Sequence, residues 1–321
     1  MKIVILDGYT INPGDLDWKG LEAIGDLTVY DRTPVEEVAN RCQGAQFVLT
    51  NKTKVNAEAI NQLPDLKYIG ELATGFDNID IKEAALRNIP VCNVPGYSTM
   101  SVAQLTWALI LELVCKVSRR SAEVHEGAWV KSKDFCFGHA GLFELQGKKL
   151  GLIGLGLIGS AVAKIAQAFG MEVIANVRNP AKYNMPGVRF VSRQVCFAEA
   201  DIVSLHSPLT DDTRQMVNAG LLSTMKTSAL LINTARGALI NEKDLADALN
   251  NNLIAGAALD VLSAEPPVKD NPMFEAKNCI ITPHIAWATI EARQRLLQES
   301  VENIKAFLKG LPRNVVNGVK P

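Results

Sequence analysis

The run Lys149-Leu150-Gly151-Leu152-Ile153-Gly154-Leu155-Gly156-Leu157-Ile158-Gly159 decides how this chain folds. An apolar stretch, 150–153, leads into Gly154-x-Gly156-x-x-Gly159, an apolar helical pattern, 157–169, leaves it, and a second apolar stretch, 172–175, follows. Strand, glycine turn, helix and strand in that order predict a βαβ unit that binds a dinucleotide. Gly154 and Gly156 let the backbone turn tightly and approach a pyrophosphate, which would sit on the free amides of the helix N-terminus at Leu157 and Ile158. Gly159 lets the helix lie close on its strand. Six positions of this kind carry little information alone; the flanking strand and helix supply the specificity.

The alternation continues in both directions. Downstream, 202–205, 229–233, 254–259 and 279–282 read as strands, which with 149–153 and 172–175 make the six of a doubly wound parallel sheet. Upstream, 2–6, 28–30, 47–50, 68–70 and 91–93 read as short buried strands between helical patterns at 35–41, 57–62 and 81–87. The last helix follows Asp80 with Glu83 three residues on, a capping-box arrangement. Pro95-Gly96-Tyr97-Ser98 breaks the rhythm, one long helix is predicted over about 102–119, and 131–146 is polar. A closing helix over 290–309 places Ile290, Leu297, Val301, Ile304 and Leu308 on one face, and Gly310 and Pro312 stop it.

At 321 residues the chain has the length of about two domains. Lys plus Arg number 33 against 34 Asp plus Glu, so the basic excess of a nucleic-acid or membrane-surface binder is missing. The most apolar stretch, 102–117, is interrupted by Gln104, Thr106 and Glu112 and is too short and polar to span a bilayer. The start, Met1 to Asp7, reads as a strand rather than a signal peptide. Cys42, Cys92, Cys115, Cys136, Cys196 and Cys279 are far apart and lack metal-ligand spacing. They read as small buried hydrophobes in a reducing compartment, and a cytoplasmic protein without a metal is expected.

The choice of dinucleotide is read after the second strand of the βαβ unit, where an NAD site usually carries an acid for the ribose 2′-hydroxyl. Here stands Asn176-Val177-Arg178-Asn179, and the only acid between Gly159 and Ala198 is Glu172, at the wrong end of its strand. Arg178, with Lys182 nearby, suits a 2′-phosphate, so NADP(H) is favoured and NAD(H) stays open; Arg178 stacking on adenine or facing water is the competing reading. For proton transfer, His125 and His139 lie in polar surroundings, whereas His206 and His284 follow predicted strands, as do Arg236 and Glu265. Taken singly, each of these also reads as a surface or loop residue, and spacing alone does not bring them together.

Over nearly its whole length the chain resembles the D-isomer-specific 2-hydroxyacid dehydrogenase family. The resemblance rests on Ala73-Thr74-Gly75-Phe76-Asp77-Asn78-Ile79-Asp80, the glycine turn, Leu205-His206-Ser207-Pro208-Leu209-Thr210 and Ile232-Asn233-Thr234-Ala235-Arg236-Gly237. Leu259-Asp260-Val261, Glu265-Pro266-Pro267 and Thr282-Pro283-His284 complete it. It implies two doubly wound parallel-sheet domains, Rossmann-like and flavodoxin-like, with a cleft between them. Residues 1–99 with 290–321 would bind substrate and 100–289 the dinucleotide. It also implies a catalytic trio of Arg236, Glu265 and His284. Arg236 would hold the carboxylate of a small 2-oxoacid while hydride reaches its carbonyl carbon, and His284, paired with Glu265, would protonate the new alkoxide. Amides at Ala73, Thr74 and Gly75 would bind the other carboxylate oxygen. Gly154, Gly156, Leu157, Ile158, Gly159, Asn176, Arg178, His206, Pro208, Thr213, Thr234, Ala235, Asp260 and Ala286 would line the cofactor, together with Arg236 and His284. The apolar helix from Val102 resembles the element that family members use to form homodimers.

The segments 131–137 and 284–293 look most like the glycerate dehydrogenase, or hydroxypyruvate reductase, branch, with Trp287 as a candidate wall of the substrate pocket. Hydroxypyruvate or glyoxylate is therefore the favoured substrate, with a D-lactate-type or broad 2-oxoacid reductase as the alternative. Phosphoglycerate dehydrogenase fits less well because the chain stops at its last helix, and formate dehydrogenase because Glu265 is an acid. A reading of another class is a dinucleotide-sensing binding protein, as in corepressors of the C-terminal-binding type, which keep this fold.

Overall fold

Short runs of aliphatic residues become strands here because both faces of each run are covered. In chain order they are β1 (Lys2–Ile5), β2 (Asp26–Val29), β3 (Phe47–Thr50), β4 (Tyr68–Glu71), β5 (Val91–Cys92), β6 (Lys149–Ile153), β7 (Glu172–Asn176), β8 (Val188–Phe190), β9 (Ile202–Leu205), β10 (Leu230–Asn233), β11 (Gly256–Leu259) and β12 (Cys279–Ile281). Residues 1–319 are described by this computed structural model; the last two positions of the 290–321 segment lie outside them. Two all-parallel sheets result, one ordered β2-β1-β3-β4-β5 and the other β12-β11-β10-β9-β6-β7-β8. The chain divides into a unit of Met1–Ser98 with the described residues from Trp287 onward, and a continuous unit, Thr99–Ala286.

In the first unit, Val4, Val48, Ile69 and Val91 cover one sheet face with Val38, Ile60 and Leu63. Ile3, Ile5, Phe47 and Tyr68 cover the other with Leu296 and Ile304 of the helix Ile290–Leu308. That helix turns Leu297, Val301 and Ile304 of its predicted face toward the sheet, but not the two ends of that face. Ala292, Leu296, Ser300 and Ile304, spaced by four, are buried, while Ile290 and Leu308 are 47% and 51% exposed. The inward face also carries Arg293, only 6% exposed, whose guanidinium meets both Asp15 oxygens at 2.6 Å and donates to the Ile11 and Ala288 carbonyls at 3.0 Å. A polar residue in this seam is tolerated because its donors are met. Asp80 caps the helix Ile81–Leu86 by accepting from the Glu83 amide at 3.0 Å.

In the second unit the sheet is sandwiched between two apolar clusters. The single helix predicted over 102–119 is in fact two, Thr99–Cys115 and Val117–His125, bent by 55°. Lys116 between them has φ 54°, a left-handed conformation that ends the first helix, and the Glu112 carboxylate accepts from the Ser118 amide and hydroxyl to start the second. A seventh strand, β8, joins the six expected; Val188 and Phe190 pack on the core and Arg189 is exposed, but three residues are too few to make a recognisable run. Two cysteines depart from the buried reading: Cys42, Cys92 and Cys196 are buried and Cys279 partly so, but Cys115 and Cys136 are exposed. Cys115 ends its helix on the solvent side, and Cys136 lies in the polar 131–146 stretch. No single helix among the described residues is long and apolar enough to cross a membrane.

The buried Arg293 is the polar keystone of the first unit. Asp15→Ala should lower its stability, read as a lower urea midpoint, because the buried guanidinium is left without its carboxylate.

Candidate active site

All seven strands of the second sheet run in parallel, so their C-terminal ends share one edge. In spatial order β12, β11, β10, β9, β6 and β7 deliver to that edge the segments beginning at Thr282, Asp260, Thr234, His206, Gly154 and Val177. The chain order reverses between β9 and β6, the switch point at which loops part and leave a crevice in sheets of this kind.

At the switch point, the three glycines divide their work as the spacing predicts. Gly154 has φ 100°, and a Cβ there would stand 2.6 Å from the His206 carbonyl oxygen. A Cβ on Gly159 would stand 2.4 Å from the Gly154 oxygen, so that glycine allows helix and turn to touch. Gly156 faces open space, with nothing within 4 Å of such a Cβ, and it begins the helix Leu157–Ala168 with no side-chain cap. The first-turn amides therefore face a space that fits a phosphate group. The Ser207 hydroxyl, in the next loop along the edge, is buried without a hydrogen-bond partner. Together these features fit a dinucleotide.

Two strands away, one carboxylate organises a whole loop. Asp260, 1% exposed, accepts from the Thr282 hydroxyl at 2.6 Å and from the Ile285 and Ala286 amides at 2.9 Å; its carbonyl accepts from the His284 amide at 2.8 Å. Burial raises its pKa, and the hydrogen bonds from Thr282, Ala286 and Ile285 offset that only in part. Held on both sides, His284 adopts φ 55°, a strained conformation for a non-glycine residue. That conformation places its Nδ1 2.6 Å from Glu265 Oε2. The other Glu265 oxygen accepts from the Leu262 amide at 3.2 Å. A carboxylate accepts only, so Nδ1 bears the proton and Nε2 is the nitrogen left for chemistry.

Arg236 is set by two residues whose roles spacing did not reveal. Asn233, fully buried, accepts from the Ala235 amide at 3.0 Å and donates to the Arg236 carbonyl at 2.8 Å, closing a tight turn around Thr234. Gly237 lies against the other loop: a Cβ there would stand 1.9 Å from the Leu262 carbonyl carbon and 2.4 Å from the Ser263 nitrogen. The Arg236 turn and the loop that carries Glu265 are thus in backbone contact. The usable signal for Asn233 was a polar residue closing a buried strand, which must find its partners in nearby backbone.

The remaining candidates divide by role. Thr213 accepts from the Thr210 amide and donates to the Pro208 carbonyl at 2.8 Å, so it braces the loop after β9 from within. Thr234 shares a 2.8 Å hydroxyl hydrogen bond with Thr106, and Ala286 is held through its carbonyl by Ser101. Asn176 spends its amide on the Val191 carbonyl at 3.0 Å, while Arg178 is exposed. His206 pairs through Nε2 with the Ser204 hydroxyl at 2.9 Å, and desolvation lowers its pKa to about 4. His125 and His139 are exposed. Ala73, Thr74, Gly75 and Trp287 belong to the first unit, where Ala73 is buried, Thr74 is exposed and Trp287 packs on the sheet face that includes Ile5 and Tyr68.

Residues 107–286 match the family model of the D-isomer specific 2-hydroxyacid dehydrogenase NAD binding domain. The chain is 48% identical to a hydroxypyruvate reductase of Blautia hydrogenotrophica, over 99% of this chain and 100% of that one. It is 39% identical to a glycerate dehydrogenase of Methylorubrum extorquens, over 98% of each. An NADPH-dependent glyoxylate/hydroxypyruvate reductase of Sinorhizobium meliloti, solved with citrate, superposes with a TM-score of 0.86 at 26% identity, over 100% of this chain and 99% of that one.

Because the folded His206 titrates near 4, below an unfolded value of about 6.5, the unfolded chain takes up a proton first as pH falls. The thermal midpoint of the protein should drop between about pH 6.5 and about pH 4, and His206→Gln should flatten that slope. An unchanged slope in the variant would remove His206 as its source.

Proposed function

We propose, given that this chain belongs to the D-isomer specific 2-hydroxyacid dehydrogenase family, that it interconverts a small 2-oxoacid and its D-2-hydroxyacid, with hydroxypyruvate or glyoxylate as the oxoacid. The observation that carries this reading is the His284–Glu265 hydrogen bond of 2.6 Å, made by a histidine held at φ 55° on the edge where the glycine turn also opens. A bound nicotinamide supplies or accepts the hydride. Arg236 binds the substrate carboxylate with its planar fork and polarises the carbonyl. The amides of Ala73, Thr74 and Gly75 hold the second carboxylate oxygen, and Trp287 walls the side-chain pocket. His284, with Nδ1 committed to Glu265, gives its Nε2 proton to the alkoxide in reduction and takes it back in oxidation. Residues 1–99 with 290–321 bind substrate, and 100–289 bind the dinucleotide.

The preferred cofactor is NADP(H). Support comes from the exposed Arg178 just beyond β7 and from Asn176, whose amide is already engaged with Val191, in a place where an acid would otherwise bind the 2′-hydroxyl. Gly154, Gly156, Leu157, Ile158 and Gly159 hold the pyrophosphate, and His206, Pro208, Thr213, Thr234, Ala235, Asp260 and Ala286 line the remainder. The protein works as a homodimer, with the apolar helix from Val102 as the candidate seam; exposed apolar side chains of the second unit, among them Val130 and Phe135 at 91% and 90%, support an association surface. Six unpaired cysteines support a cytoplasmic location.

The test is oxidation of NADPH and NADH by the purified protein with hydroxypyruvate, glyoxylate and pyruvate. Turnover with hydroxypyruvate or glyoxylate is expected; dinucleotide binding without turnover of any 2-oxoacid would overturn the reading. His284→Ala should lower kcat by about 10²- to 10⁴-fold while dinucleotide affinity, read by fluorescence titration, stays close to that of the parent. Arg178→Ala should weaken NADPH about tenfold to a hundredfold and leave NADH nearly unchanged. Equal losses for both dinucleotides would exclude Arg178 as the 2′-phosphate reader.

A further inference from the structure

The C-terminal edge of the first unit's sheet carries buried polar side chains from four of its five strands: Asp7 after β1, Thr50 and Asn51 at the end of β3, Glu71 at the end of β4 and Asn93 after β5. Four of the five are fully engaged. Asp7 accepts from the amides of Asn51, Lys52 and Thr53 at 2.8, 2.5 and 2.7 Å. Thr50 donates to the Thr53 carbonyl at 2.9 Å, Asn51 to the Leu72 carbonyl at 2.7 Å and Asn93 to the Thr74 carbonyl at 2.7 Å. Glu71 differs. It is 1% exposed, and neither carboxyl oxygen has a hydrogen-bond partner. The strand alternation turns it to the face of Ile69, where Val4, Val48, Val55 and Ile79 pack. The Asn78 amide lies near enough to favour ionisation but does not reach hydrogen-bond geometry with either oxygen.

A carboxylate without donors in such a place is far more costly than the neutral acid. Burial pushes the Glu71 pKa well above the usual carboxylate range, with Asp7 after β1 and Asp77 after β4 pushing the same way and only Lys52 after β3 and Asn78 opposing. Glu71 lies directly before the segment 72–78, which is strung over this edge by backbone bonds: Leu72 amide to Thr50 carbonyl at 2.7 Å, Val94 amide to Ala73 carbonyl at 2.9 Å and Val55 amide to Asn78 carbonyl at 2.9 Å.

We propose that Glu71 is a positioning residue for the 72–78 segment: as the neutral acid it lets segments 51–55 and 76–79 close over the sheet edge, and its ionisation releases them. The proposal rests on the reading of Ala73, Thr74 and Gly75 as the amides that hold the substrate carboxylate. Its consequence is a loss of substrate affinity at alkaline pH that is separate from the proton held by His284, because Glu71 acts on KM through the loop and His284 on kcat through the alkoxide.

The experiment compares wild type with Glu71→Gln, which keeps the shape and removes the charge, and with Glu71→Met as a second uncharged variant should the first fold poorly. KM and kcat for hydroxypyruvate, and hydrogen exchange of the 72–80 amides corrected for intrinsic rate, are followed from about pH 6 to about pH 10. In wild type, KM should rise about fivefold or more over the alkaline range as 72–80 loses protection; in the variants both should stay flat, with kcat profiles of the same shape in all three. Identical KM and exchange profiles in wild type and variants would overturn the proposal. So would a variant that changes only the pH dependence of the melting midpoint, since that is the signature of a buried acid with no hold on the loop. Exchange in the presence of oxamate, a non-reducible 2-oxoacid analogue, separates the two readings. If oxamate leaves 72–80 unprotected, the carboxylate-binding role of 73–75 falls and with it the KM consequence. The pH dependence of exchange then still decides whether Glu71 holds the segment.

Discussion

The carboxylate of Asp260 is the constraint on which the candidate catalytic edge depends. A histidine at φ 55° carries about 1–3 kcal/mol of backbone strain. Each hydrogen bond to a buried charge returns about 1.5–3 kcal/mol, and this carboxylate accepts three, with a fourth on the same residue's carbonyl. These four bonds hold the strained loop in place, so His284 meets Glu265 without having to search for it. Asp260 thus contributes by fixing a backbone, and its burial keeps that grip out of competition with water.

The second constraint is one of space. Gly237 admits no side chain because the carbonyl of Leu262 already fills the place of a Cβ. The turn that presents Arg236 and the loop that presents Glu265 therefore rest on one another through main chain, which is stiffer than any contact between long side chains. Asn233 completes the turn from below. Charge on the edge is carried by flexible side chains, but the spacing of their Cα atoms is set by glycine, asparagine and aspartate.

Most of the architecture could be read from residue patterns because most of the strands are short, apolar and buried on both faces. What escaped has local causes. The break at Lys116 is a left-handed residue that no periodicity announces, and β8 is too short to have a pattern. The seam of the last helix departs from its pattern only at the ends, because Ala292, Ser300 and Arg293 face inward where an apolar count ranks Ile290 and Leu308 above them, while Val301 and Ile304 are buried as that count predicts. At the site, His284, Glu265 and Arg236 could be named from motifs, and the first two now stand in contact. The hold of Asp260 on four later residues could not, since a hydrogen-bond network between residues more than twenty apart leaves no mark on spacing.

The two units also differ in how the chain is threaded. Thr99–Ala286 is one continuous piece, whereas the other unit takes its first ninety-eight residues from the start and its closing helix from the end. The face of its sheet with Ile3, Ile5, Phe47 and Tyr68 waits for Leu296, Ile304 and Phe307, and β5 waits for the antiparallel bridge from Val315. On a ribosome, the inserted unit can therefore reach its native packing while the unit begun first still shows an uncovered apolar sheet. Within these residues the order of completion reverses the order of synthesis, and the helix Ile290–Leu308 seals β1.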